Sequence, residues 1–311
     1  MDLPYDAVGE YDTSLSLSMD ALSREVSDTL REAASTNVSD HGGDVSILLD
    51  GLNQHFVDEG DVAAVALLAA DRATTSLEAD LDARLLTDGA GPSIAMNALA
   101  DELGTSLARV EVNGFFTIGP DGVLSFRATQ VSAGGVDSPA ALLDLAPLGV
   151  HARAELTASL LPMGGGAQLD SLTVQLPAGV MAQARMRATA LREGLDATAP
   201  WLVERASCDS FASFVAERPT LAPLCDSACA LTVCGQAVGD LWVDLAPALA
   251  ELDVQRSGVD IRGRLELLED TGDLRVDRIH AARLSASTTG EAATPITLEA
   301  SVDASRTAFL P

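Results

Sequence analysis

Four cysteines, Cys208, Cys225, Cys229 and Cys234, are the residues whose type and spacing point most directly to chemistry. They lie within one segment, and the chain has no other cysteine. Structural zinc sites usually contain C-x2-C pairs, and iron–sulfur motifs space their last cysteines more tightly than the C-x3-C-x4-C run found here. The spacing therefore favours two disulfides over a metal site or free thiols, and it leaves their connectivity open. Because disulfides persist in oxidising compartments, we expect an extracytoplasmic protein, either periplasmic, anchored to the outer membrane or secreted.

Two other motifs have simpler interpretations than a reactive site. The segment Asp40–Asp44 reads DHGGD, as in part of an oxyanion loop, but no G-x-S-x-G nucleophile motif accompanies it. We predict a turn that leads into a helix, with Asp44 as the N-cap. The histidines lack H-x3-H spacing, so no histidine metal centre is predicted at His41, His55, His151 or His280.

Acidic turns that contain glycine occur at Asp58–Asp61, Pro120–Gly122 and Glu269–Asp273. None matches the calcium-loop pattern D-x-[DN]-x-[DN]-G, and Asp-Gly pairs are common in β-turns, so we predict solvated turns. The 46 acidic residues keep a carboxylate-dependent hydrolase as a third functional hypothesis, without singling out a pair. The sequence thus predicts no catalytic residue, no metal site and no cofactor.

The composition is acidic and free of lysine. All 19 strongly basic residues are arginine, against 46 acidic residues, for a net charge of −27. Such a surface repels phosphate backbones and anionic lipid head groups, so no nucleic-acid partner is predicted and docking on acidic membranes is disfavoured. Codon bias in a high-GC genome and adaptation to saline surroundings both account for this composition, and the sequence leaves both open.

Hydropathy predicts a globular protein without a transmembrane segment. Hydrophobic residues make up 47% of the chain, which is enough for a core. The longest apolar run, Val62–Ala70, is too short to span a bilayer. Met1–Pro4 lacks the features of a signal peptide, and we expect the numbered chain to begin after a removed export signal that Met1 replaces.

Hydrophobic periodicity divides the chain into alternating helical and strand regions. A loose leader is predicted over residues 1–13, helices over 14–107 and antiparallel strands over 108–192. Residues 193–251 form a helical region that holds all the cysteines, and residues 252–311 return to strands. Within this scheme Asp61–Leu86 is one long helix whose first half is apolar on every side and is expected to be buried, whereas Val180–Ala190 is predicted to be a strand.

These regions are typical of an α+β protein, with one antiparallel sheet whose apolar face is covered by amphipathic helices and with a disulfide-stapled helical insert. We expect a single domain in which the last strands pack with the first sheet. Residues 98–133 follow the plan helix, strand, acidic glycine turn and returning strand, and residues 244–286 follow it again. We interpret this as a weak internal duplication; helix–hairpin units also recur without shared ancestry, and that alternative stays open.

Small side chains on the predicted inner face of the sheet indicate a candidate binding site. They leave depth above the sheet that must be filled, because protein interiors do not tolerate large voids. The filler is either a closely packed helix or an apolar ligand in a hydrophobic cleft. The predicted ligand-binding residues are Ala154, Leu156, Ala158, Ala182, Ala184, Met186 and Ala188.

The segment from Cys208 to Trp242, with arginine as the only strongly basic residue type, resembles exported proteins and lipoprotein ectodomains of high-GC Gram-negative bacteria of the myxobacterial type. This likeness covers a small part of the chain and implies export without implying an activity. The amphipathic strands combined with long helices also resemble tubular lipid-binding folds of the bactericidal/permeability-increasing type, from which the cysteine-rich helices depart. That second resemblance implies a lipid-like ligand.

The leading prediction is therefore a non-catalytic extracytoplasmic protein that binds a hydrophobic, lipid-like ligand between sheet and helices. The alternative is a structural or protein-interaction module of the cell envelope, whose partner is an envelope protein. In that case the interface between sheet and helices is filled by protein side chains alone.

Overall fold

A computed structural model describes residues 7–308 except 75, 121–123, 136–139, 144–152, 162–165, 196–197, 271, 274 and 292–293. For residues 153–161 and 308 it describes the backbone alone. The fold is α+β with a single antiparallel sheet and two disulfides, as predicted. The chain forms two compact units: residues 1–26, 103–188 and 249–311 make up the first, and residues 27–102 and 189–248 the second.

The first unit contains the sheet. Its strands are β1 (Gly9–Ser18), β2 (Arg109–Ile118), β3 (Leu124–Gly134), β4 (Ala141–Leu142), β5 (Arg153–Leu161), β6 (Gly166–Gln175), β7 (Gly258–Leu268), β8 (Arg278–Thr289) and β9 (Thr297–Ala308). Their order across the sheet is β4-β3-β2-β1-β9-β8-β7-β6-β5, and neighbours are antiparallel. Strands β3 and β5 are not neighbours in this order, yet they lie close together. The sheet therefore curls until its two ends approach each other.

Alternating side chains give the sheet one dry face and one wet face. In β2 the apolar residues Val110, Val112 and Phe116 are buried, while Glu111 and Asn113, which alternate with them, are partly exposed. Strand β7 follows the same rule, with Ile261 buried and Arg262 exposed. This is the pattern expected for an antiparallel sheet that is covered on one side.

The leader predicted for residues 1–13 is wrong where the structure describes it. Gly9–Ser18 forms β1, which lies between β2 and β9 near the middle of the sheet. Tyr11 and Leu15 are fully buried in this strand, and the Tyr11 hydroxyl donates a hydrogen bond to the Ala7 carbonyl at 2.8 Å. Serines alternate with the apolar residues of β1, which is the period-two pattern of a strand with one buried face. The helix predicted from residue 14 begins only after this strand, at Asp20.

The helices are α1 (Asp20–Asp40), α2 (Asp44–Asp58), α3 (Val62–Thr74), α4 (Leu77–Asp88), α5 (Pro92–Ser106), α6 (Ala178–Arg192), α7 (Thr198–Arg205), α8 (Cys208–Glu217), α9 (Ser227–Asp244) and α10 (Ala246–Gln255). The second unit consists mainly of α2–α4 and α7–α9. Apolar residues three and four apart bury one stripe of each of these helices, as amphipathic helices in a globular core do.

Two further expectations about these elements are wrong. Residues 178–192 form helix α6 rather than a continuation of the strands, so the first strand region ends at Gln175. Alanine at alternate positions imitates a strand pattern, but alanine is also the strongest helix former. The apolar run Val62–Ala70 in α3 is not buried: Val62 is 79% exposed and Leu67 is 51% exposed. Helix α3 contacts α2 and α4, which bury only the stripe that contains Leu68.

The order of elements repeats along the chain. Each half runs from one strand through five helices to three further strands: β1, α1–α5 and β2–β4 in the first half, and β6, α6–α10 and β7–β9 in the second. The two halves contribute their strands to the sheet in the same order, as β4-β3-β2-β1 and β9-β8-β7-β6. Strand β5 lies outside this repeat, at the end of the sheet.

Glycines occupy matching positions in the two halves. Gly114 and Gly263 are each the sixth residue of the strand that follows the helices, and each lies at a register shift against the next strand. Gly135 and Gly290 each follow that next strand, and a Cβ atom at either would overlap a main-chain carbonyl oxygen at the end of the preceding helix. These matched close contacts support a duplicated origin, which stays a prediction about ancestry.

Candidate functional site

Helix α2 forms one wall of a groove in the second unit. Before it, Gly42 and Gly43 have φ values of 80° and 95°, which glycine adopts readily and which reverse the chain after α1. Asp44 is the first residue of α2 rather than its N-cap, so that prediction is wrong. Its carboxylate accepts hydrogen bonds from the Ser93 backbone N–H (2.9 Å) and the Ser93 hydroxyl (2.5 Å) at the start of α5. Burial raises the pKa of Asp44 above its usual value, and the bonds from Ser93 oppose that rise.

Helix α9 forms the other wall, and the disulfides hold it. Asp226 is its N-cap and accepts a hydrogen bond from the Cys229 backbone N–H at 2.9 Å. The Cys225–Cys229 bridge spans the same turn, and the Cys208–Cys234 bridge joins α9 to α8. The prediction of two disulfides is thus confirmed, with this connectivity.

Helices α2 and α9 pack closely at Gly51, where a Cβ atom would lie 3.2 Å from Val233 Cγ1. A groove of about 340 Å³ lies along this contact, and we call it the α2–α9 groove. Its apolar floor consists of the buried side chains of Ile47, Val233, Ala237 and Leu241. A concave apolar surface of this kind is what small-molecule sites use to exclude water from the ligand.

The rim of the groove is polar and carries acidic groups without any arginine among the residues that line it. Helix α2 and the turn before it contribute the first part of this rim, and α9 contributes the rest. The rim consists of His41, Asp50, Gln54, His55, Asp58, Gln236, Asp240 and Asp244.

The rim carboxylates of α2 already have partners. Arg72 Nη1 on α3 lies 2.6 Å from Asp50 Oδ1, and this hydrogen bond raises the pKa of the Arg72 guanidinium above its usual value. Gln54 Nε2 donates a hydrogen bond to Asp58 Oδ1 at 2.8 Å. The carboxylates of α9 are less engaged: His41 Nε2 lies 4.0 Å from Asp244 Oδ2, and no ion pair to Asp240 occurs within the part of the chain that the structure describes.

The groove combines an apolar floor with a polar rim of carboxylates, imidazoles and amides. A carboxylate-dependent hydrolase needs an acid enclosed in apolar surroundings beside a second, ionised carboxylate. Here Asp50 and Asp244 keep 63% and 50% of their side chains in solvent. No serine, threonine or cysteine is among the described residues that line the groove, whereas the rim carboxylates and imidazoles belong to the groups that can act as nucleophiles.

The structure does not bring the predicted ligand-binding residues together on one sheet face. Ala154, Leu156 and Ala158 lie on β5, paired with Val174, Leu172 and Leu169 of β6, and their side chains are outside the described residues. Ala182, Ala184 and Met186 are buried on helix α6, and Ala188 on the same helix is partly exposed. The fully buried Arg185 lies among them, so this part of α6 is not a purely apolar surface. A ligand between sheet and helices stays a prediction.

Sequence reasoning did not identify the groove residues. The first wall belongs to residues 41–58 and the second to residues 233–244, so only tertiary packing brings them together. One signal was present: Asp240 and Asp244 are four residues apart on a helix and therefore share a face.

The acidic turn between β7 and β8 collects the carboxylates of Glu269, Asp273 and Asp277 within 4.8 Å of one another. Their oxygens accept backbone hydrogen bonds of the turn itself: Asp273 N–H donates to Glu269 Oε1 (3.1 Å), and Asp270 N–H donates to Asp277 Oδ2 (2.9 Å). These carboxylates therefore accept hydrogen bonds within the turn and also lie close enough together to share a metal ion, and the solvated turn at Glu269–Asp273 stays a prediction.

Comparison with known proteins assigns no family. No protein-family model, no curated protein and no solved structure matches the chain. Among the described helices, none combines the length and the hydropathy that crossing a membrane requires.

Proposed function

We propose that this protein is a non-catalytic, extracytoplasmic binding protein that holds the apolar part of a small lipid-like molecule in the α2–α9 groove. The observation that carries the proposal is the buried apolar floor, flanked by two packed helices and bordered by polar side chains. Ligand pockets are mainly apolar with a few polar groups, and their volumes run from about 300 to 1,000 Å³. The groove lies near the lower end of that range, which favours a small ligand.

The two disulfides support the extracytoplasmic part of the proposal, because such bridges are rare in reducing compartments. Intact-mass measurement of the natively produced protein, with and without reductant, tests it. We expect a gain of four hydrogen masses on reduction, whereas four free thiols in the native material would contradict export to an oxidising compartment.

Calorimetric titration with 1-octanol, a neutral apolar probe, tests the binding function. The matched variants are Gln236→Trp, which places an indole at the rim of the groove, and Thr87→Trp, which adds the same ring on the exposed face of α4. We expect one probe molecule per chain for the wild type and for Thr87→Trp, and no binding by Gln236→Trp. The proposal fails if the wild type does not bind, or if Gln236→Trp binds as the wild type does.

The exposed apolar surface of α3 favours a second candidate, the protein-interaction module of the cell envelope. Val62 and Leu67 each present a large apolar side chain to solvent, and exposed apolar surface can form part of an interaction site. If this is the functional surface, a Val62→Ser/Leu67→Ser variant will separate from the envelope fraction of the native host while keeping its affinity for 1-octanol. Loss of probe binding together with unchanged fractionation would reject this candidate.

A further inference from the structure

We propose that the Cys225–Cys229 bridge is a site of thiol–disulfide exchange, at which an external dithiol attacks Cys229 Sγ and Cys225 is the leaving group. The Cys208–Cys234 bridge is structural and stays closed during this exchange. The exchange site goes beyond the proposed function and does not depend on the α2–α9 groove. Three features support it: the unequal exposure of the cysteines, the surface position of the short bridge, and the contacts that remain when that bridge opens.

Exposure differs between the two bridges. Cys208 and Cys234 are 4% and 1% exposed, so both ends of the long bridge are buried. Cys229 is partly exposed, and it is the one cysteine of the chain that is not buried. Exchange requires an attacking thiolate to reach a sulfur atom, so its rate depends on access. Of the two bridges, Cys225–Cys229 is therefore the one that an external thiol can attack in the folded protein.

The segment that the short bridge closes lies at the surface. Asp226, Ser227 and Ala228, which separate its two cysteines, are all exposed. A reductant can therefore approach Cys229 over the first turn of α9. Cys225 is only 2% exposed, so Cys229 provides the attacked sulfur and Cys225 the departing one.

The exchange consists of two displacements. One thiol of the dithiol loses its proton and attacks Cys229 Sγ; the bond between the two protein sulfurs breaks, and Cys225 leaves as a thiolate that takes up a proton. The second thiol of the reductant, also deprotonated, attacks the reductant sulfur of the mixed disulfide, and Cys229 leaves and is protonated in turn. The dithiol is oxidised to a disulfide, and the protein bridge gains two electrons and becomes two thiols.

The amino end of α9 keeps its own contacts when the bridge opens. The Asp226 carboxylate accepts a hydrogen bond from the Cys229 backbone N–H at 2.9 Å, and the Asp226 carbonyl accepts one from the Ala230 N–H at 2.9 Å. Cys225 Sγ lies 3.7 Å from the same carbonyl oxygen, which can accept a hydrogen bond from the new thiol. The first turn of α9 is thus capped independently of the bridge.

The connection between α8 and α9, residues 218–226, is also held by other groups. Leu221 is fully buried, and the Thr220 hydroxyl donates a hydrogen bond to Asp71 Oδ2 on α3 at 2.8 Å. The Cys208–Cys234 bridge continues to join α8 to α9. Reduction of the short bridge should therefore be a local and reversible change that leaves the second unit folded.

Timed reduction of the full chain with dithiothreitol, without denaturant, tests the exchange site. Samples are quenched with acid, unfolded and alkylated with N-ethylmaleimide, and peptide mapping by mass spectrometry then quantifies each free cysteine. Because access controls the exchange rate, Cys225 and Cys229 should be released at least about tenfold faster than Cys208 and Cys234. Equal rates, faster release of Cys208 and Cys234, or resistance of both bridges would overturn the inference.

Two matched variants, Cys225→Ala and Cys229→Ala, test which sulfur is attacked. Each retains one thiol of the pair, and both are treated with oxidised glutathione. Cys225→Ala, which retains the partly exposed Cys229, should form the mixed disulfide about tenfold faster than Cys229→Ala, which retains the buried Cys225. Similar rates, or a faster reaction of Cys229→Ala, would overturn the assignment of Cys229 as the attacked residue.

Tryptophan emission distinguishes local exchange from unfolding. Trp201 and Trp242 both belong to the second unit, so their emission reports on its fold. During dithiothreitol treatment of the wild type, the emission should stay unchanged while Cys225 and Cys229 are released. A change that accompanies their release would contradict a local exchange site. These measurements do not involve 1-octanol, so the proposed function is tested separately.

Discussion

The two disulfides should contribute unequally to the stability of the second unit, the helical one, because they close loops of very different length. The Cys208–Cys234 bridge joins residues 26 apart, whereas Cys225–Cys229 joins residues four apart. A disulfide stabilises mainly by restricting the unfolded chain, and the restriction grows with the logarithm of the loop length. That relation assigns about 3.5 kcal/mol to the long bridge and about 2 kcal/mol to the short one.

The perturbation is a pair of double variants, Cys208→Ala/Cys234→Ala and Cys225→Ala/Cys229→Ala. Urea unfolding can be followed by tryptophan fluorescence, because the two tryptophans, both in the helical unit, report on that unit. With a denaturant slope of about 2 kcal/mol per M, the midpoints should fall by roughly 1.7 M and 1 M.

Reduced wild-type protein is the control, because it loses the bridges but keeps the sulfur atoms in the core. Its loss of stability should match the sum of the two variants to within about 1 kcal/mol if loop closure dominates. Equal losses for the two variants, or a larger loss for the short bridge, would refute the loop-length reasoning. A changed denaturant slope would show instead that the bridges alter the compactness of the unfolded state.

Three further predictions concern single residues. Burial raises the pKa of Asp44, so ionising this carboxyl destabilises the folded protein. This destabilisation is absent below about pH 4 and grows as the pH rises through the raised pKa. The free energy of unfolding of Asp44→Asn, relative to that of the wild type, should therefore increase between pH 4 and pH 7 in urea titrations. Glu25 accepts two hydrogen bonds of 2.8 and 3.1 Å from the Arg256 guanidinium, which is 7% exposed. Glu25→Ala should therefore lower the free energy of unfolding by about 3 kcal/mol in chemical denaturation, because it leaves this buried charge without its carboxylate partner. Gly290→Ala places a methyl group against a main-chain carbonyl and should lower the free energy of unfolding by about 3 kcal/mol, measured by denaturation followed by circular dichroism. Gly239→Ala, whose methyl group meets open space on α9, should raise it by about 0.5–1 kcal/mol.

Local patterns were sufficient to predict much of the sheet. The apolar residues of β2, β7 and β9 alternate with period two, whereas the alternation in β3 and β8 is interrupted near a register shift; the α+β class follows from the order of helical and strand patterns. The cysteine spacing was sufficient for the two bridges but not for their pairing. Pairing depends on which helices pack together, and α8 and α9 meet only in the folded chain.

The errors have physical causes. The alternating Ala and Met residues of α6 satisfy both a strand pattern and a helix pattern, and the helical propensity of alanine decided the outcome. The apolar run in α3 indicated burial, but a helix that packs on one side leaves its other side in solvent. The groove was beyond prediction, because its walls are separated by about 190 residues of sequence.

The central claim is that the ligand lies in the α2–α9 groove. Methyl nuclear magnetic resonance during a titration with 1-octanol tests it directly. We expect the largest chemical-shift changes at the floor methyl groups of Ile47, Val233 and Leu241, with the methyl groups of Ala184 and Met186 on α6 unaffected. The account is contradicted if the α6 methyl groups shift while those of the groove floor do not.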